Sequence, residues 1–204
     1  KKMLDDVIIK NQLTADAVFG IYPANSKNES VNVEGCKFDF PRQLVDKGPD
    51  KINYSLADFI SPDQDWIGMF AVTTGKGIED VISEFEKDHD DYRIIMIKAI
   101  ADRLAEAFAE KLHQMIRVDY WGYSTEKNIS IEQLIKEKYN GIRPAPGYPA
   151  CPSHEEKDKI WEILDVEKEV GITLTESRAM YPAASVSGWY FSHPNSVYFS
   201  VLNN

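Results

Sequence analysis

Four prolines and one glycine lie within the ten residues from Arg143 to Pro152, and this density restricts the backbone more than any other stretch of the chain. Each proline fixes its own φ angle, lacks an N–H donor and keeps the residue before it out of the α region. Gly147 alone can take a positive φ or let a ligand touch the backbone. The sequence therefore predicts a rigid loop whose backbone carbonyls are left over as acceptors.

Two side chains of this proline loop indicate ligand binding. Arg143 stands at its entrance, where a guanidinium can hold a carboxylate through two parallel hydrogen bonds. Tyr148 places an aromatic ring at the apex, and Ala145 and Gly147 would act through backbone C=O and N–H groups. Such a loop suits a small ligand with a carboxylate and a flat ring bearing amino donors. The alternatives are an anchoring arginine, a tight turn at the two small residues and a packed tyrosine ring.

Helical periodicity is strongest in the middle of the chain. The pattern predicts helices over Ile78 to Lys87 and over Asp90 to Val118, and the second carries an apolar stripe that must pack on a sheet. Ser130 with Gln133 predicts a capped helix over about 130 to 139.

After the proline loop, the Ser153 to Glu156 segment has the pattern of a capping box. It predicts a helix that runs through Val170, with Ile160, Trp161 and Leu164 on one face and Gly171 as the stop.

Strand signals flank these helices on both sides and do not alternate with them regularly. This order favours an α+β fold in which a twisted antiparallel or mixed sheet packs with long helices. A hairpin is predicted over Phe191 to Phe199 with its turn at Pro194 and Asn195, so Tyr198 and Phe199 would face opposite sides of a last strand. The other predicted strands are Val18 to Ser26 ending in a Pro23 to Asn25 turn, 31 to 42, Ser55 to Ile60, Trp66 to Thr73 ending at a Thr74 to Gly77 break, 172 to 180 and 185 to 191.

Composition excludes several classes of function. The 33 acidic and 23 basic residues give a net charge of −10, which argues against binding nucleic acid. The acidic run from Glu79 to Asp91 is interpreted as a solvated helix end, with a docking patch as the alternative. No apolar run approaches a membrane span and no signal-peptide core is present, so a cytoplasmic location is predicted. Cys36 and Cys151 suggest neither a disulfide framework nor a zinc site.

No catalytic or metal-binding constellation is predicted. Glu106, Glu110 and His113 share one helix, and Glu110 with His113 has the local pattern of a di-iron carboxylate site, but the chain supplies no second such pair. The Gly-x-Ser-x-Gly elbow of a serine hydrolase is also missing.

Several long segments together resemble a known family. The proline loop and the run YPAASVSGWYFSHP from Tyr181 to Pro194 resemble the S-adenosylmethionine-binding reactivation module at the C-terminus of cobalamin-dependent methionine synthase. Further matches lie at Ser55 to Ile60, at Ala101 to Glu110 and at Tyr120 to Tyr123. These motifs are long and of unusual composition, and they cover most of the chain.

The resemblance implies a set of ligand-binding residues. Arg143 would hold the methionyl carboxylate, Tyr198 and Phe199 would contact the nucleoside, and two acidic residues would lie near the positive sulfonium. The full set is Arg143, Ala145, Gly147, Tyr148, Tyr198, Phe199, Glu106 and Glu137.

The resemblance also implies a function. The chain would bind S-adenosylmethionine and present its methyl group for reductive remethylation of inactive cob(II)alamin, as part of an enzyme of methionine biosynthesis. Cobalamin would be bound by another domain of the same protein, and flavodoxin or an equivalent reductase would supply the electron. The alternative is a docking module for those partners without useful ligand affinity of its own.

The domain boundaries are a further expectation. Residues 1–204 are expected to form a single C-shaped activation domain that lacks its N-terminal part, because Lys1 to Leu13 has helical character and no initiator methionine. The family draws one acidic ligand contact from a segment upstream. Without it, the affinity is expected to fall by about tenfold to a hundredfold.

Overall fold

The computed structural model describes residues 13–44, 52–126 and 129–202. The helix predicted over Lys1 to Leu13 lies outside these residues except for Leu13. The strands are β1 (Thr14–Lys27), β2 (Ser30–Val33), β3 (Cys36–Asp39), β4 (Asp65–Lys76), β5 (Thr173–Leu174), β6 (Met180–Tyr181) and β7 (Ser185–Tyr190). The helices are α1 (Ile78–Lys87), α2 (Asp91–Met115), α3 (Ile131–Ile135), α4 (Glu156–Leu164) and α5 (Val166–Val170).

Five strands form one sheet in the order β3-β2-β1-β4-β7, and β5 pairs with β6 in a second, two-stranded sheet. The pairs β1 with β2 and β2 with β3 are antiparallel, with Ala24 opposite Val33 and Val31 opposite Phe38. This arrangement confirms the predicted α+β fold with an antiparallel sheet.

The first strands differ from the prediction at their turns. The predicted turn at Pro23 to Asn25 is wrong, since β1 continues to Lys27. Pro23 is exposed and lies just before the first residue that pairs with β2, so its missing N–H leaves the β1–β2 ladder intact. The single strand predicted over 31 to 42 is two strands, joined where Glu34 and Gly35 take positive φ angles of 49° and 82°.

The strand predicted over Ser55 to Ile60 is wrong, because Leu56–Phe59 forms a 3₁₀ helix. The Ser55 hydroxyl accepts from the Ala57 N–H at 3.2 Å, and the Asp58 carboxylate accepts from the Ser55 N–H at 2.9 Å. This pair of side chain-to-backbone bonds stabilises a helical turn in a segment whose apolar residues also fit a strand.

Strand β4 confirms the prediction for Trp66 to Thr73 but not the predicted break, because it runs on to Lys76. Gly75 remains in the strand for a packing reason: a Cβ at this position would lie 2.5 Å from the Cβ of Pro182. Gly77, with φ 81°, is the N-cap of α1, whose bounds are those predicted.

The later helices are shorter than predicted. Helix α2 is followed by one π-helical turn, Ile116–Tyr120. The helix predicted through Val170 is interrupted at Asp165, which has φ 50°, while Gly171 ends α5 as predicted. The Ser153 hydroxyl accepts from the Glu155 N–H at 3.2 Å, whereas the Glu156 carboxylate bonds Lys159 instead of closing a capping box.

The chain divides into two compact units. The first comprises the described residues up to Val18, Ala71–Lys111 and Asp165–Val186, and the second comprises Phe19–Phe70, Leu112–Leu164 and the residues from Ser187 onward. The core of the first unit is aliphatic and consists of Ile78, Val81, Ile82, Ile97, Ala101 and Ala184. The core of the second is aromatic, with Trp189 packed edge-on to Phe38 and Phe40 at centroid distances of 5.7 and 5.0 Å. Across residues 13–44, 52–126 and 129–202, no helix has the length and apolar content needed to cross a membrane.

Candidate functional site

Backbone pairing with β7 and the residues after it holds the entrance of the proline loop. Ile142 and Phe191 exchange two backbone hydrogen bonds of 3.0 Å, and the Trp189 N–H donates to the Pro144 carbonyl at 3.0 Å. Gly188 makes this approach possible, because a Cβ there would overlap the Pro144 carbonyl oxygen. The position of the loop is therefore fixed by the second unit's core.

The apex of the loop is a series of tight turns. Tyr148 N–H donates to the Ala145 carbonyl at 3.3 Å, Cys151 N–H donates to the Tyr148 carbonyl at 2.9 Å, and Gly147 N–H donates to the Cys151 carbonyl at 2.8 Å. Gly147 has φ 87°, and a Cβ there would overlap the His154 ring. The prediction of left-over carbonyls is wrong for Pro144, Ala145, Tyr148, Pro149 and Cys151, because their carbonyls accept backbone N–H groups within the second unit.

Arg143 and Tyr198 meet in the structure although 55 residues separate them. The Arg143 N–H donates to the Tyr198 hydroxyl at 3.0 Å, while the Arg143 side chain is half-buried. Tyr198 is 42% exposed and Tyr148 is 59% exposed, so both rings remain accessible to a ligand. The proline loop and the C-terminal segment that carries Tyr198 thus together present one guanidinium and two exposed aromatic rings within the second unit.

The segment that carries Tyr198 is not the predicted strand. The turn at Pro194 and Asn195 is present, with the Ser196 N–H bonded to the His193 carbonyl at 3.0 Å, but residues 196–200 are irregular. Phe199 packs on Tyr54 and Phe59 at centroid distances of 5.8 and 6.4 Å. These contacts, rather than strand pairing, fix the segment.

The two acidic residues of the predicted site lie in different units. Glu137 is exposed and has φ 49° in the turn after α3, because the helix predicted over 130 to 139 ends at Ile135. Glu106 is exposed on α2 in the first unit, where it lines an open cleft of about 530 Å³ with Asp102, Arg103 and the Ala183–Val186 segment.

A buried cluster next to the loop's entrance was not predicted from the sequence. His113 stacks on Tyr190 at 5.0 Å, meets Tyr139 edge-on at 5.4 Å and places Nε2 3.3 Å from the Tyr123 hydroxyl. The buried Arg117 guanidinium lies 3.8 Å from the centroid of the Tyr139 ring, a cation–π contact. Nε2 of His113, considered above as a metal ligand, therefore faces a phenol.

Burial and nearby arginines control the protonation of this cluster. Burial, followed by the charges of Arg117 and Arg143, holds the pKa of His113 well below its usual value, so the imidazole is neutral. Burial also raises the pKa of Tyr123, which keeps its phenol protonated. The sequence signal for the cluster is the spacing of His113 and Arg117, two polar residues one turn apart on one face of the predicted helix.

Two comparisons relate the chain to known proteins. The family model described as vitamin B12 dependent methionine synthase, activation domain, matches residues 1–203. Among solved structures, the chain is similar to a MetH reactivation domain bound to AdoHcy, with 50% sequence identity and a TM-score of 0.93. The match covers 98% of this chain and 65% of the other, so the chain spans less than two thirds of that relative's length.

Proposed function

Since the chain belongs to the family of vitamin B12 dependent methionine synthase activation domains, we propose that it binds S-adenosylmethionine and presents the sulfonium methyl group for remethylation of cobalamin. The main support is the relative with 50% identity that is bound to AdoHcy, the compound left after S-adenosylmethionine gives up its methyl group. The accessible side chains of the proline loop agree with this ligand in charge and shape.

The proposed ligand site uses the second unit's loop. Arg143 binds the methionyl carboxylate, because a permanently charged planar guanidinium matches that anion in two hydrogen bonds. Tyr198 and Phe199 contact the nucleoside, and the packing of Phe199 on Tyr54 and Phe59 holds this segment in place. Tyr148 covers the ligand at the exposed apex.

The remaining parts of the proposed ligand site are backbone atoms of the loop and two carboxylates. Ala145 contributes main-chain atoms beside a side chain no larger than a methyl group, and Gly147 contributes its main chain from the turn that packs against His154. Their carbonyl and N–H already bond within the loop, so a ligand would use the second lone pair of the Ala145 carbonyl. Glu106 and Glu137 are proposed, from the family resemblance, to offset the positive charges of the ligand.

In the proposed reaction, the chain binds the ligand and orients it. A sulfonium is already an activated methyl donor, so no general acid or base is required, and positioning is the protein's contribution. Cobalamin, held by another domain of the parent enzyme, supplies the nucleophilic metal. The half-buried Arg143 and the exposed Tyr148 and Tyr198 hold the carboxylate and nucleoside ends of the ligand.

The proposed partners follow from this role. They are the cobalamin-binding domain of the same protein and flavodoxin or an equivalent reductase. A cytoplasmic location and participation in methionine biosynthesis are parts of the same proposal.

Titration calorimetry of the chain with S-adenosylmethionine and with AdoHcy tests the proposal. We expect saturable binding of one ligand per chain, and no binding of adenosine alone, since adenosine lacks the carboxylate for Arg143. Absence of binding by both ligands, together with binding to a cobalamin-loaded domain, would instead establish a docking module without ligand affinity.

A further inference from the structure

Tyr123 lies at the point where the chain enters the proline loop. A Cβ built on Gly141 would be 2.5 Å from the Tyr123 hydroxyl oxygen and 2.8 Å from the Phe191 carbonyl oxygen. Gly141 has φ 87° and stands two residues before Arg143. The phenol therefore packs directly against the backbone that leads to the candidate ligand site.

His113 holds the Tyr123 hydroxyl from the other side. Its Nε2 atom lies 3.3 Å from that oxygen, and its ring is fixed between Tyr190 and Tyr139. Among the described residues, no protein group bonds its buried Nδ1 atom. An orphaned buried N–H is rarer than an under-satisfied acceptor, so the proton belongs on Nε2 and is donated to Tyr123.

This tautomer directs the Tyr123 hydroxyl proton away from His113. The oxygen accepts from Nε2–H, and its own hydrogen then faces the side of Gly141 and the loop. On that side the Tyr198 hydroxyl accepts the Arg143 N–H at 3.0 Å, and Ile142 pairs with Phe191. Arg143 and Tyr198, two of the ligand-binding candidates, thus rest on a backbone segment that the Tyr123 hydroxyl contacts.

We propose that Tyr123, oriented by His113, is a positioning residue for the proline-loop site. Its hydroxyl fixes the Gly141 backbone, and through Ile142 it fixes the register in which the Arg143 N–H meets Tyr198. The ligand-binding part of this inference rests on the proposed function. The geometric part concerns the ligand-free chain alone.

The first measurement needs no ligand. Amide hydrogen exchange of Arg143 is compared between the wild-type chain and Tyr123→Phe, which keeps the ring packed edge-on to Trp121 at 5.3 Å and removes only the hydroxyl. We expect Arg143 exchange to accelerate about threefold to tenfold, the size of one net hydrogen bond. The amide of Thr74, which donates to Ala184 in the first unit, is the internal reference and stays unchanged.

The second measurement is the affinity for AdoHcy. Tyr123→Phe is expected to lower it about threefold to tenfold, and His113→Gln, which keeps an N–H donor, less than His113→Leu. Tyr22→Phe is the matched control, because the Tyr22 hydroxyl donates to the Ile163 carbonyl at 3.5 Å, away from the loop. It should change neither quantity.

The outcomes separate this inference from the proposed function. Unchanged Arg143 exchange in Tyr123→Phe overturns the inference, and weaker affinity with unchanged exchange also overturns it, because the hydroxyl would then touch the ligand directly. Accelerated exchange supports the positioning role even if the wild-type chain fails to bind AdoHcy, a result that would refute the proposed function alone.

Discussion

The backbone and the side chain of Arg143 have separate tasks. The N–H is bonded to Tyr198, which ties the entrance of the loop to the C-terminal segment. The guanidinium cannot lose its charge and helps to lower the pKa of the buried His113. Arg143 therefore combines a permanent positive charge with a backbone fixed by a hydrogen bond, and both favour the binding of a carboxylate.

We expect Arg143→Ala to weaken the binding of S-adenosylmethionine by about 1.5 to 3 kcal/mol, the size of a lost charge-assisted hydrogen bond. Calorimetry measures this change, and the melting temperature should move little. Arg93→Ala is the control, because Arg93 is an exposed arginine whose partner is Asp90 on the surface. A sharp fall in melting temperature with unchanged affinity would make Arg143 a structural anchor.

Two glycines with nearly equal φ angles separate steric from conformational effects. Gly35, with φ 82°, has no atom within 4 Å of a built Cβ, whereas the same position at Gly147 overlaps His154. Gly35→Ala should cost about 1 to 2 kcal/mol of unfolding free energy from its left-handed backbone alone, and Gly147→Ala should cost more. Denaturant unfolding measures both costs. Adding His154→Ala to the Gly147→Ala protein should remove the extra cost that comes from the clash with the His154 ring. Equal costs would contradict the contact with His154.

The buried His113 makes stability depend on pH. Its folded pKa is lowered, so the unfolded chain binds the proton more readily, and the stabilisation is present above the unfolded pKa of about 6.5. As pH falls below that value, the free energy of unfolding should decrease by up to about 1.4 kcal/mol per pH unit. His113→Phe should flatten this part of the profile between pH 7 and 5. Parallel profiles for the two proteins would mean that His113 titrates normally in the folded chain.

At the scale of elements, β7 and the proline loop behave as one assembly. Trp189 donates to Pro144, Phe191 pairs with Ile142, and Gly188 allows the two segments to approach. The loop is ordered by this neighbour as well as by its prolines. A change on β7 therefore acts on the ligand site.

Gly188→Ala tests this coupling. The new Cβ would overlap the Pro144 carbonyl oxygen, which is backbone and cannot rotate away, so we expect a loss of about 1 to 3 kcal/mol of stability. The affinity for AdoHcy should also fall, because the Arg143 entrance moves with Pro144. Gly35→Ala, at a distant turn of the same unit, should leave the affinity unchanged. A stable Gly188→Ala protein with wild-type affinity would contradict the coupling.

At the scale of the whole molecule, the proposed role needs a partner. The net charge of −10 makes the surface repel polyanions, and the activity would come from presenting a ligand to another domain. The proposed remethylation of cobalamin is therefore tested with a separate cobalamin-binding domain supplied.

We expect the purified chain to transfer no methyl group from S-adenosylmethionine to homocysteine or to another free thiol. Addition of a cobalamin-loaded domain and a one-electron reductant should produce methylcobalamin, detected by its absorption spectrum. Arg143→Ala serves as the matched negative variant in the same assay. Methyl transfer by the chain alone would contradict the proposed division of work.

Local sequence signals predicted the elements whose stabilising contacts are close in sequence. The bounds of α1, the Ser130 cap of α3 and the stop at Gly171 follow from periodicity and capping. The strand predicted over Ser55 to Ile60 is wrong although Ser55 and Asp58 carry the pattern of a capping box, because the apolar residues of this segment fit both structures. For the hairpin predicted over Phe191 to Phe199, the turn is confirmed and the last strand is wrong. A turn depends on neighbouring residues, whereas a strand needs a partner strand elsewhere in the chain.

The sequence by itself determined the α+β class, the proline loop and the places of Arg143 and Tyr148 in it, because each depends on covalent restriction or on residues a few positions apart. Only the tertiary structure decided that Arg143 bonds Tyr198, that β7 fixes the loop through Pro144, and that His113 is buried against Tyr123. These contacts join residues that are far apart in the sequence or that meet only when the core is packed. Their geometry depends on backbone positions that no local pattern encodes.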